Sequence, residues 1–299
     1  MPRRSLCPPR RRFVRVHPTE PCRSRRRRHR RAAGAAAHPR STRLDTVNHA
    51  ASRRITAAQV PAAQWHGWLM HCVPTSVRPL VAPERRLVVL TPHPDDEVLA
   101  CALLMQQHAE SGGAVHIVAA TDGEASHAEA CWPMPQVQVI RCSERDEGLA
   151  ALGLGHVPVT HLHLPDGGVA EAGGRLHAAL LELVEPSDAL VTTWRLDGHP
   201  DHECCGRVAL DVARRLRIPL LQAPVWMWHW ARPGAPQIPW QDLYALDAPP
   251  AALQRKIAAL QAHRSQLQPR SARLGAVLDA AIVERAHWPR EYFFCHGSS

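Results

Sequence analysis

From Arg86 onward, short apolar runs alternate with stretches of helical length. Leu87-Val88-Val89-Leu90 is a continuous apolar run, the pattern of a strand covered on both faces. A helix is predicted over 96–110, ending at Ser111-Gly112-Gly113, a stop signal. Further strands are predicted at 114–120, 160–164, 189–193 and 219–225, with helices over about 143–152, 176–184 and 201–216. Late helices are expected at 251–262 and about 274–284, and a last short strand at 291–295. Strands alternating with helices of this length imply βαβ units. The expected fold class is therefore α/β: a Rossmann-like, mostly parallel sheet with helices on both faces, in a single domain over 83–299. Ligands of such sheets bind at the carboxyl ends of the strands. Chemistry is to be sought in the residues just after each strand.

Two segments precede this domain. Residues 55–82 carry Trp65, Trp68, Leu69 and Met70 at near-helical spacing, which predicts a lead-in helix packing on the domain. Residues 1–54 show no sustained apolar periodicity, and hold seventeen Arg against Glu20 and Asp45 as the only acids. Like charges with little apolar area to bury predict a disordered arm. Its readings are a solvated tail or a start codon placed too far upstream, a transit-like presequence, or a weak polyanion contact.

Charge changes the picture. The chain is +9 overall, but the arm is +15 and the remainder −6. The basic character belongs to the arm, so a specific nucleic-acid-binding domain is not expected. Lys256 is the only lysine, which with the abundant alanine reads as a GC-rich coding bias. No apolar run reaches 18 residues, so no membrane span is expected. The nine cysteines form no Cys-x-x-Cys pair, which points to neither a disulfide framework nor a cysteine-rich zinc site, and to a reducing cytoplasm.

The first strand runs into Thr91-Pro92-His93-Pro94-Asp95-Asp96-Glu97. Pro94 restricts His93 to an extended conformation. A histidine beside carboxylates suits zinc, whereas a helix N-cap explains only one of the acids. The fourth strand runs into Trp194-Arg195-Leu196-Asp197-Gly198-His199-Pro200-Asp201-His202-Glu203, so His-Pro-Asp again follows a strand end. His202 could complete a His/Asp/His set with His93 and Asp96. Three protein ligands and an open position are the usual catalytic zinc arrangement.

With its His-Pro-Asp-Asp-Glu box at 93–97 and its His-Pro-Asp-His box at 199–202, the chain resembles the LmbE-like, or PIG-L-type, zinc-dependent de-N-acetylases. Weaker agreements are Thr121-Asp122-Gly123-Glu124, Arg141-x-x-Glu144 and Ala262-His263-Arg264-Ser265-Gln266, and the similarity spans about 85–268. The resemblance implies hydrolysis of the N-acetyl, or another N-acyl, group of an N-acetylglucosamine-type sugar or glycoconjugate. It also implies His93, Asp96 and His202 as zinc ligands, Asp95 as general base, and His199 as acid or oxyanion stabiliser. Arg141 would contact the sugar. The family's Gly-Cys-Gly-Gly-like stretch is here Leu99-Ala100-Cys101-Ala102-Leu103, where alanine should let the helix continue.

Other positions have weaker claims. Asp166, in Pro165-Asp166-Gly167-Gly168, is a turn residue or a substrate-hydroxyl contact. His263 is a site-wall residue or a helix-end histidine. His161 and His163 alternate on a strand and should face helices or the sheet edge rather than the zinc. Cys204-Cys205 read as free buried cysteines. Trp226, Trp228, Trp230 and Trp240 are a sugar-stacking wall or core. Alternatives to the sugar deacetylase are an amidase acting on a non-sugar acyl-amine or thiol conjugate, or a non-catalytic metal- or carbohydrate-binding protein. Other divalent ions can occupy a His/Asp/His set as well as zinc.

Overall fold

The computed structural model describes residues 57–76 and 78–296, with Arg53 and Ile55. The predicted arm at 1–54 lies outside the described residues except for Arg53, whose Nε stands 3.1 Å from Glu203 Oε1.

Seven strands form one sheet in the order β3-β2-β1-β4-β5-β7-β6. They are β1 Leu87–Thr91, β2 Val115–Ala119, β3 Val159–His161, β4 Ala189–Thr193, β5 Leu220–Ala223, β6 Leu243–Asp247 and β7 Arg290–His296. The first five pair in parallel, and β7 runs antiparallel to both β5 and β6. The helices are α1 Ala62–Cys72, α2 Asp96–Glu110, α3 Met134–Ala151, α4 Gly173–Leu183, α5 Pro200–Leu216, α6 Met227–Trp230, α7 Pro250–Ala262, α8 Arg264–Leu267 and α9 Ala280–Ala286.

Alternation along β1 shows why an all-apolar strand is required. Leu87 and Val89 join a core with Leu104 of α2 and Leu260 of α7, while Val88 and Leu90 join a second core with Leu180 of α4 and Val212 of α5. All four of these apolar side chains are buried, and each such burial contributes roughly 1.5–3 kcal/mol. A third cluster holds Trp65 and Leu69 of α1 against Trp194, Trp228, Trp230 and Phe294. Trp228 and Trp230 are thus core residues, and Trp240 stacks edge-on against Trp68. Close packing reaches Gly206 of α5, where a Cβ would stand 2.5 Å from the Arg195 backbone nitrogen.

Several element boundaries differ from those predicted. Helix α3 begins at Met134 rather than near 143, with a proline in its first turn, where a missing N–H costs nothing. Strand β3 ends at His161, three residues early, because His163 adopts a positive φ of 49°. The helix expected near 274 starts only at Ala280, capped by the Asp279 side chain on the Ile282 N–H. Strand β6 was not predicted; it is the sheet's antiparallel edge, with Tyr244 exposed.

Helix α2 does continue through the alanine-containing stretch, but it bends. Cys101 has φ −149° and ψ 23°, which breaks the ladder there. The Leu103 and Leu104 N–H groups donate to the Glu291 carboxylate at 2.9 and 3.0 Å, and Lys256 Nζ stands 2.7 Å from the same carboxylate. No helix among the described residues is long and apolar enough to cross a membrane.

Candidate metal centre and cleft

Strand β1 has β2 on one side and β4 on the other, so the chain order reverses between β1 and β4. The two His boxes leave the carboxyl ends of these neighbouring strands. Their side chains meet above the switch point, where this architecture places its ligands.

Three atoms form a nearly equilateral triangle. His93 Nδ1 lies 3.2 Å from Asp96 Oδ2, His202 Nε2 lies 3.3 Å from that oxygen, and the two ring nitrogens are 3.3 Å apart. All three residues are buried. The opposite ring nitrogens are tied down. His202 Nδ1 stands 2.9 Å from Asp197 Oδ2, and His93 Nε2 stands 3.2 Å from both Asp166 Oδ1 and Asp201 Oδ2. Carboxylates on the outer nitrogens fix each ring's orientation and tautomer, the usual support for metal-binding histidine. They leave the inner nitrogens directed at Asp96.

A tetrahedral ion bound at about 2.0 Å separates its ligand atoms by about 3.3 Å, which is the edge of this triangle. Two imidazoles and a carboxylate also match zinc's donor preference. The electrostatics agree. Burial alone would lower the His202 pKa, but Asp96 and Asp197 push it up to about 9. Burial would likewise raise the Asp96 carboxyl, yet His202 and His93 hold it well below the usual range. The triangle stabilises positive charge, and a divalent ion would supply it while displacing protons. His93, His199 and Asp201 form a second grouping, but Asp201 is engaged by the Gly167 and Val169 N–H groups at 2.8 and 3.2 Å. The residues of the first grouping therefore fit zinc better.

Asp95 flanks the triangle with a backbone φ of 142°, a conformation rare for a residue with a side chain. The Glu97 carboxylate accepts from its N–H at 3.4 Å, and Arg141 Nη2 donates to its Oδ2 at 3.1 Å. Burial raises the Asp95 carboxyl to about 7, with Arg141 partly opposing. His199 is the N-cap of α5, its Nδ1 accepting from the Asp201 N–H at 3.3 Å. Its ionisation is pushed down to about 3 by burial and by the His202 and His93 charges. It is therefore a neutral imidazole with its proton on Nε2.

These groups open into a cleft of ≈ 650 Å³. Its lining is mixed: Asp95, Ser126, Asp166 and His199 are polar, and Leu99, Trp226, Val277 and Leu278 are apolar. Of the other predicted positions, Asp166 lines the cleft, and its Oδ2 accepts from the Ala125 N–H at 2.9 Å. Burial alone would raise the Asp166 carboxyl, but the His93 contact outweighs it and holds the group down to about 2. Arg141 also lines it, but its Nη atoms are spent on Gly123 O, Pro94 O and Asp95. His263 is fully buried outside the cleft lining, 3.1 Å from where a Cβ on Gly148 would stand. Sequence reasoning gave no role to Asp197 or Asp201. Their signal was present, since both belong to the second His box.

The PIG-L family model, described as GlcNAc-PI de-N-acetylase, matches residues 88–213. The match takes in both His boxes, at 93–97 and 199–202. Solved structures sharing the fold include a deacetylase of the teicoplanin biosynthesis pathway, with TM-score 0.56 and 17% identity over 70% of this chain and 97% of that one. The antimicrobial reagent A40926 pseudoaglycone deacetylase gives 0.52 and 20%, over 72% and 99%. The zinc-inhibited form of teicoplanin deacetylase gives 0.51 and 18%, over 70% and 97%. No curated protein matches the chain significantly by sequence.

Proposed function

We propose that this protein is a zinc-dependent amide hydrolase that removes an N-acetyl or other N-acyl group from an amino sugar or glycoconjugate. The observation that carries this reading is the 3.2–3.3 Å triangle of His93 Nδ1, Asp96 Oδ2 and His202 Nε2, with the Asp95 carboxyl beside it in an open cleft.

His93, Asp96 and His202 would hold the ion. The chemistry that zinc supplies at such a set is Lewis acidity toward the amide oxygen and toward an attacking water. Asp95 takes a proton from that water as it adds to the carbonyl carbon. A carboxyl titrating near 7 is suited to accept this proton and then deliver it to the departing amine. Arg141 fixes where Asp95 Oδ2 stands, and Glu97 holds the Asp95 backbone N–H. The His199 Nε2–H donates to the oxygen that gains charge on attack, a contact of a type worth about 3–4 kcal/mol in other hydrolases. The C–N bond then breaks, giving a free carboxylate and an amine.

The mixed lining of the cleft supports the substrate class. Ser126 and Asp166 offer partners for sugar hydroxyls, and Trp226 with Leu99, Val277 and Leu278 offers a surface for an apolar aglycone or acyl chain. We assign the protein to a reducing compartment such as the cytoplasm. We read 83–299 as the catalytic domain and 1–54 as an Arg-rich arm outside it.

The test is amine release from N-acetylglucosamine and a panel of its glycosides, with metal-stripped protein, with added zinc, and with Asp95→Asn. Zinc-dependent release by the parent protein alone is expected. Stoichiometric zinc without release from any sugar would redirect the search to non-sugar acyl-amines. Failure to bind zinc would overturn the assignment.

A further inference from the structure

We propose a second divalent-metal site, distinct from the cleft, formed by Asp122, Cys142, His161 and His163 at the outer edge of the sheet and selective for a zinc-class ion. Three elements bring these residues together. Asp122 lies in the turn after β2, His161 ends β3 with His163 two residues on, and Cys142 projects from α3. Asp122 Oδ1 is 2.8 Å from His161 Nδ1, and Asp122 Oδ2 is 2.6 Å from His163 Nδ1. Cys142 Sγ lies 3.6 Å from Asp122 Oδ1. One atom each of Asp122, Cys142 and His161 fall within 4.8 Å of one another. The two imidazoles stack, 5.5 Å between centroids and 20° between planes.

The donor set decides the ion. A thiol, an imidazole and a carboxylate stand within ligand distance of one another, with the His163 imidazole on the second Asp122 oxygen, an N/S/O composition that zinc prefers. Calcium and magnesium take oxygen ligands and would leave the sulfur and both nitrogens unused. The site has an entrance. The His163 side chain is 64% exposed and that of His161 30%, while Asp122 at 3% forms the floor. Ligation costs one proton. The Cys142 S–H passes it to solvent, and a ligating imidazole carries its hydrogen on Nε2.

The alternative is a purely hydrogen-bonded cluster, because Asp122 also accepts from Gln138 Nε2 at 2.7 Å. The two differ in the state of the sulfur. Without a cation, burial and the Asp122 charge push the Cys142 thiol up to about 11, so it stays protonated at neutral pH. A thiolate at neutral pH therefore reports an ion. The site shares no residue with the first triangle, which has no sulfur. It adjoins it through Gly123, whose carbonyl accepts from Arg141 Nη1 at 3.0 Å.

The experiment is a cobalt(II) titration of metal-stripped full-length protein, following the near-ultraviolet thiolate-to-cobalt charge-transfer band, paired with zinc equilibrium dialysis. The parent protein should show the band and bind two equivalents of zinc. Cys142→Ser should lose the band and bind one. His202→Ala should keep the band and bind one, which separates this site from the cleft. A His161→Ala/His163→Ala double variant should weaken the band at a given cobalt concentration. Absence of the band from the parent protein at saturating cobalt would overturn the proposal. So would a band that survives Cys142→Ser.

Discussion

Lys256 Nζ stands 2.7 Å from Glu291 Oε1 in the interior, with side-chain exposures of only 3% and 2%. This pair does more than neutralise itself. The Glu291 carboxylate also accepts the N–H groups of Leu103 and Leu104, which the bend at Cys101 leaves without helical partners. Glu291 thus caps the second half of α2 from a neighbouring strand, and the chain's single lysine opposes the upward push that burial gives its carboxyl.

Lys256→Met should therefore destabilise the protein by about 3–5 kcal/mol, the scale for breaking a buried pair. Adding Glu291→Leu should not restore stability, because two backbone N–H groups would then be buried without acceptors. Urea denaturation of the single and double variants measures this. Recovery in the double variant would show that the pair acts only as an ion pair.

Asp95→Asn should lower turnover about 10²–10⁴-fold while zinc content stays unchanged. In the parent protein the proton-accepting form is the carboxylate. Activity should accordingly rise with pH through the Asp95 pKa of about 7. Metal analysis and a pH–rate profile read the two effects separately.

Asp197→Ala should weaken zinc binding about 10–100-fold without removing a ligand. Asp197 Oδ2 fixes the His202 ring, and its Oδ1 also accepts from the Val225 and Met227 N–H groups at 2.9 Å. Competition with a chromophoric chelator gives the affinity. An unchanged value would mean that the ring is held by packing alone.

Asp122 should contribute to acid stability, alongside Asp96 and Asp166. Burial alone would raise the Asp122 carboxyl, but hydrogen bonds from His161, His163 and Gln138 outweigh that and hold it down to about 2. A folded-state pKa below the unfolded value stabilises at pH above both and is lost as pH falls through the folded one. Metal-stripped protein should thus lose stability between about pH 5 and pH 2, and Asp122→Asn should make that loss smaller. Chemical denaturation across this range is the measurement.

Much of this was readable from the residues. Strand β4 and helix α2 have the predicted limits because their apolar runs are bounded by turn and cap signals. The two His boxes declared themselves by following strand ends. What escaped the sequence depended on partners distant along the chain. The bend at Cys101 exists because Glu291, 188 residues from Leu103, accepts the freed N–H. His161 and His163 read as ordinary strand residues until β3 brought them against Asp122 and Cys142. Strand β6 is short and half exposed, a pattern that a loop also shows.

The pairing of β1 with β4 has a kinetic meaning. Leu87 opposes Ala189, so a hydrogen-bonded neighbour of the first site-bearing strand arrives about a hundred residues later in synthesis. Closing so long a loop is entropically slow, and the crossover helices cannot shorten it. His93 and Asp96 must wait for His202 before they can retain an ion with three ligands. Zinc capture should then be a late event that locks the finished topology, and chelation should speed unfolding more than it slows collapse.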